Sequence, residues 1–117
     1  MKDFLKDIKV VPKVWGIEFW LFNNRKYCAK ILIVKKDYHV SYHRHLKKDE
    51  TFHLMQGRLL VRKGNKKAVL EPLESIRIRP KEWHQFYGMK ECVVLEVSTH
   101  HSDSDTQRKT KSGKGKI

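Results

Sequence analysis

Between Lys9 and Ser98 the chain reads as short apolar or alternating runs broken by turn residues. No stretch carries the 3.6-residue apolar stripe of an amphipathic helix. Val10-Val11, Ile17 to Phe22, Ala29 to Val34, Phe52 to Met55, Leu59 to Val61, Ala68 to Leu70, Ser75 to Ile78, His84 to Tyr87 and Cys92 to Val97 are rich in β-branched and aromatic residues, which suits strands. Gly64-Asn65 is a two-residue hairpin signal, and Asn23-Asn24 and Gly88 mark further turns. Pro72 and Pro80 fall at run edges, where a missing N–H harms a ladder least. The pattern predicts an all-β sandwich or barrel, with one helical turn over residues 3–9.

The texture changes after His101. Ser102 to Lys116 contains no aliphatic residue, so it cannot bury enough apolar surface to offset its ordering entropy. This predicts a single folded domain over residues 1–101 and a flexible, polar, basic tail over 102–117. The first seven residues lack the apolar core of a signal peptide, and no stretch reaches the roughly 20 apolar residues of a membrane helix. The expectation is a soluble, cytoplasmic protein without a membrane partner. Cys28 and Cys92 are far apart and read as buried thiols. The formal charge of +13 attracts phosphates of any kind and says nothing about fold. No aromatic-interleaved basic motif of a nucleic-acid reader occurs, so such contact is expected only as nonspecific binding by the tail.

Seven histidines in 117 residues are more telling than the charge. On a strand, residues two apart share a face, so His43 and His45 project together. Glu50 follows after room for a turn, and a third histidine, His84, comes from the later run after Pro80. Three imidazoles and a carboxylate suit one divalent transition metal ion, Zn, Mn, Fe, Ni or Co, and leave coordination positions open for chemistry.

The spacing His43-x-His45-x4-Glu50-x6-Gly57 resembles the first motif of the cupin family, and Pro80-x3-His84 resembles a shortened second motif. The resemblance covers about Val10 to Val97. It implies a double-stranded β-helix, the jelly-roll barrel, with His43, His45, Glu50 and His84 as metal ligands inside its mouth. Asp37 stands where the family usually has a glycine before the first motif, and the second motif lacks its inner glycine and closing asparagine. Trp15-Gly16-x-Glu18, followed by Lys30 in an apolar strand, is similar to the opening of sugar-isomerase cupins of the mannose-6-phosphate isomerase and D-lyxose isomerase type. That likeness implies a sugar or sugar phosphate as substrate.

An aldose–ketose isomerase needs an ion, a base that moves a proton between adjacent carbons, and a cation for the charge that develops. Glu96, a carboxylate in the apolar run Cys92 to Val97, is the candidate base. Lys30 is the candidate cation and substrate contact; Trp83, beside His84, and Tyr87 are further candidate substrate contacts. His53 is out of phase with Glu50 and reads as outward-facing, His39 receives no role, and His100 and His101 read as solvated. The competing functions are a metal-bearing module that binds sugar without turnover and an Fe(II)-dependent oxygenase, since fold alone does not fix function. A homodimer through Val10 to Leu21 is expected, because a single barrel presents strand edges that need cover.

Overall fold

The computed structural model describes residues 7–117. The helical turn expected over 3–9 falls mostly outside the described residues, and Lys9 already opens a strand. Thirteen strands follow in order: β1 (Lys9–Lys13), β2 (Gly16–Asn23), β3 (Cys28–Val34), β4 (Tyr38–His39), β5 (His43–His45), β6 (Glu50–Gln56), β7 (Leu59–Lys63), β8 (Lys66–Leu70), β9 (Ser75–Ile78), β10 (His84–Gly88), β11 (Cys92–Ser98), β12 (Thr106–Arg108) and β13 (Gly113–Lys114). A 3-10 turn at Asp103–Asp105 precedes β12. None of the described residues forms a helix long and apolar enough to cross a membrane.

The strands form two antiparallel sheets. One runs β1-β2-β3-β11-β6-β9, and the other runs β12-β5-β10-β4-β13, with the β7–β8 hairpin joined through β10. This is the jelly-roll arrangement. Gly64-Asn65 closes the β7–β8 hairpin as its residues predict. Asp37, which replaces the usual glycine, still takes the left-handed conformation, with φ of 71°, a region that short polar side chains tolerate.

The inward face of each central strand is apolar at one end and polar at the other. Leu54 and Phe52 lead to Glu50 on β6, Val94 leads to Glu96 on β11, Val34 and Leu32 lead to Lys30 on β3, and Phe86 leads to His84 on β10. Register aligns these stripes, since Val94 faces Leu32 and Leu54, while Glu96 faces Lys30 and Phe52. The apolar ends fuse into one core with Leu59, Val61, Ile78 and Cys92. The polar ends collect at one mouth. Cys28 and Cys92 are both buried and free, as their sequence context predicts.

The expectation of a flexible tail after His101 is corrected. β12 pairs with β5, and β13 pairs with β4. Lys109 N–H donates to the Tyr42 carbonyl, Tyr42 N–H donates to Thr110 Oγ1, and Gly115 N–H donates to the Asp37 carbonyl. Lys109 Nζ lies 4.2 Å from the Trp83 ring centre. Backbone ladders and cation–π contacts require no aliphatic side chains. An apolar count therefore misses this kind of docking.

Candidate metal centre

β5 presents His43 and His45 on its inner face, and β10 sets His84 directly opposite His43. The ligating nitrogens of the three imidazoles lie within 4.8 Å of one another. Glu50, the first residue of β6, brings Oε2 to 3.4 Å from His45 Nε2 and 3.1 Å from His84 Nε2. Ligands about 2.1 Å from a common ion stand roughly 3–3.5 Å from their neighbours, which is the spacing Glu50 keeps. Glu50 and His84 are fully shielded from solvent, His45 is buried, and His43 is half-buried on the cavity side.

The tautomers follow from the outer hydrogen bonds. A carbonyl oxygen can only accept, so His43 donates Nδ1–H to Ser41 O at 2.7 Å and His84 donates Nδ1–H to Glu82 O at 3.0 Å. Their Nε2 lone pairs therefore face inward. His45 Nδ1 is engaged by Thr106 Oγ1 at 3.1 Å. Outer partners of this kind orient metal-binding histidines. His84 Nε2 and Glu50 Oε2 are left buried without a hydrogen-bond donor, while Glu50 Oε1 has the Lys48 ammonium at 3.1 Å. Acceptor thus faces acceptor across 3.1 Å, a contact that a cation between them would relieve. The donor set fits a divalent transition metal.

Burial pushes His43 down to about 4, helped by His84, and burial pushes His45 down to about 3, helped by the Lys48 charge and opposed by Glu50. Both imidazoles are therefore neutral at physiological pH, the form in which a histidine can bind a metal. Burial works to raise Glu50, but the neighbouring imidazoles and the Lys48 ammonium outweigh it and hold the carboxyl well below its usual range.

The four residues stand at one wall of a cavity of about 370 Å³, with His84 set behind its surface. Glu96 and Lys30 both line this cavity, side by side on paired strands. Lys30 Nζ sits 3.3 Å from Glu18 Oε1 and 4.0 Å from the Trp20 ring centre. Burial and the charge of Glu50 raise the Glu96 pKa, against the pull of Lys48. Trp83 and Tyr87 do not line the cavity, which corrects their reading as substrate contacts. Tyr87 alternates with His84 and Phe86 on β10, and Trp83 immediately precedes that strand. Trp83 stacks on Tyr42, and the Tyr87 hydroxyl donates to Asp37.

Two further residues belong to the cavity. Lys48, in the loop between β5 and β6, places Nζ 2.5 Å from Glu96 Oε2 and 3.1 Å from Glu50 Oε1. His101, read as solvated, is buried, with Nδ1 2.9 Å from Lys48 Nζ and Nε2 2.9 Å from Asp103 Oδ1. Nothing local in the sequence marks either one. The loop carrying Lys48 is held from the far end of the chain, where Lys47 N–H and Lys48 N–H donate to the Asp105 carboxylate. His53 faces outward and bonds Ser75, as its parity predicts. His100 is exposed, and His39 Nδ1–H donates to Gly115 O away from the cavity.

Solved structures that share the fold include the following three. KdgF from Halomonas sp. superposes with a TM-score of 0.75 at 15% identity, over 85% of this chain and 90% of that one. Streptomyces Pac13 with uridine gives 0.77 at 11% identity, over 89% and 85%; Pac13 is described as a nucleoside dehydratase. A Bacillus subtilis oxalate decarboxylase gives 0.79 at 12% identity over 88% of this chain and 30% of that longer one. No curated protein sequence matches the chain. The sequence model of the D-lyxose isomerase family matches residues 52–114, more than half of the 117-residue chain. That match begins just after Glu50 and takes in His84, Glu96, His101 and the strap that carries β12 and β13. By this match and by its jelly-roll fold, the chain belongs to the D-lyxose isomerase family of cupins.

Proposed function

We propose that the protein is a metal-dependent aldose–ketose isomerase of an open-chain sugar, with His43, His45, Glu50 and His84 holding the ion. The observation that carries this reading is the placement of Glu96 and Lys30 in the same cavity as His43 and His45, with His84 directly behind that wall. When bound, the ion would supply Lewis-acid polarisation of the sugar's carbonyl and hydroxyl oxygens.

The chain's own residues account for the remaining needs. Glu96 would take the proton from one carbon and return it to the next, and its raised pKa brings it toward the range where one group can do both. Lys48 holds that carboxylate in place. Lys30 would face the oxygen on which negative charge develops, its ammonium fixed by Glu18 and Trp20. Leu32, Phe52 and Phe86 close the cavity floor, so these charges act in a medium that screens them less than water does. An epimerase would use the same proton transfer with the opposite return face.

The test is aldose–ketose interconversion by the metal-loaded full chain across pentoses and hexoses. Turnover that falls at least a hundredfold in Glu96→Gln, with metal content retained, is expected. Sugar binding without conversion of any sugar would overturn the isomerase reading.

A further inference from the structure

The cavity wall contains four carboxylates. Glu18 takes the ammonium groups of Lys30 at 3.3 Å and Lys13 at 3.8 Å, Glu50 and Glu96 share that of Lys48, and Asp103 bonds the imidazole of His101, which burial and the Lys48 charge hold neutral near pH 7. Two cations remain. Arg108 and Lys111 also line the cavity, and neither forms an ion pair among the described residues. Both belong to the strap that the sequence pattern reads as a loose tail.

Register fixes where Arg108 points. Residues directly opposite each other on an antiparallel pair share a face. Thr106 is opposite His45 and touches its Nδ1, Gln107 is opposite Arg44 and bonds it on the outer face, and Arg108 is opposite His43 on the cavity face. The strap is pinned on either side of Lys111 by Thr110 and Gly115. Two uncompensated cations are thus held at the rim, next to the metal-binding wall.

Resting on the isomerase reading, we propose that the sugar this cavity takes is anionic, with Arg108 and Lys111 holding its phosphate or carboxylate group while the carbonyl end faces His43, His45 and His84. A guanidinium binds either anion with paired N–H donors, and a lysine adds a point charge. A neutral sugar would leave both cations without a counter-charge.

The test is calorimetric titration of the manganese-loaded full chain with D-ribose, D-ribose 5-phosphate, D-mannose, D-mannose 6-phosphate and D-glucuronate. At least one anionic sugar is expected to bind about tenfold or more tightly than the neutral sugars, in a salt-sensitive way. In Arg108→Gln/Lys111→Gln that preference is expected to fall about tenfold or more, with metal content and melting temperature retained because both side chains are exposed. A gain confined to the phosphates identifies a phosphate site, and a gain confined to glucuronate identifies a carboxylate site; either upholds the proposal. Equal affinity for neutral and anionic sugars, or a double variant that binds anions like the wild type, overturns it. Conversion assays run in parallel separate the two readings. Turnover of neutral sugars without anion preference sinks the anion site alone, and anion binding that needs Arg108 without turnover of any sugar sinks the isomerase alone.

Discussion

Lys48 Nζ lies 2.5 Å from Glu96 Oε2 and reaches Glu50 Oε1 at 3.1 Å, so one buried ammonium neutralises the candidate base and a candidate metal ligand together. Removing it would leave two largely buried carboxylates without their shared ammonium. Lys48→Met is expected to destabilise the metal-free protein by about 3–5 kcal/mol in urea unfolding. With metal bound, Glu50 regains a counter-charge, so the loss should shrink. Equal losses with and without metal would show that Lys48 does not serve Glu50.

Thr106 Oγ1 orients His45 from the strap. Thr106→Val keeps the shape and removes that partner, and metal affinity measured against a competing chelator is expected to fall about 10–100-fold. His45→Ala should bring metal content well below one ion per chain by elemental analysis. Full metal content in His45→Ala would remove His45 from the ligand set.

Stability of the metal-free protein should fall as the solution is acidified from neutrality. His43 and His45 have folded values of about 4 and about 3, below the ordinary 6.5. Below pH 6.5 the unfolded chain takes up protons that the folded chain refuses, so the stabilisation is complete above 6.5 and lost below it. Glu50, held low, adds a loss of the same sign below its ordinary value of 4.5. Glu96, held high, has the opposite sign and tempers the effect. Between pH 6.5 and 5 the two imidazoles together account for up to about 4 kcal/mol. Urea midpoints across that range check this, and a flat profile would contradict the neutral, desolvated state of the pair.

Gly57 ends the first histidine motif with φ of +100°, and a Cβ there would run into the Glu91 carbonyl and the Cys92 backbone. Gly57→Ala is expected to cost about 2–4 kcal/mol in thermal or urea unfolding. A cost below 1 kcal/mol would show that the turn relaxes freely.

β1 is an edge of the six-stranded sheet among the described residues, and Val10 on it is 54% exposed. A second copy of the chain is expected to cover that edge, as the apolar segment Val10 to Leu21 predicts. Light scattering at micromolar concentration should give a dimer, and Val10→Lys should weaken it. A monomeric wild type would dispose of this interface.

Period-two alternation put His43 and His45 on one face and kept His53 outside, and the β-branched runs and turn residues marked the longer strands but not the short β4, β12 and β13. It also carried the information that Tyr87 must face away from His84, since odd and even positions of β10 diverge, and Trp83 stands just ahead of that strand. The reading of Tyr87 as a substrate contact went against that rule. The apolar-to-polar gradient along β3, β6, β10 and β11 is written in the residues, but only the register of β3, β11 and β6, with β10 brought in by the other sheet, collects those polar ends at one mouth. Lys48, His101 and Arg108 belong to the cavity because Asp105 holds a loop nearly sixty positions away and β12 pairs with β5. Such contacts are backbone ladders and ion pairs between remote segments. They need no local apolar period, so tertiary structure alone decides them.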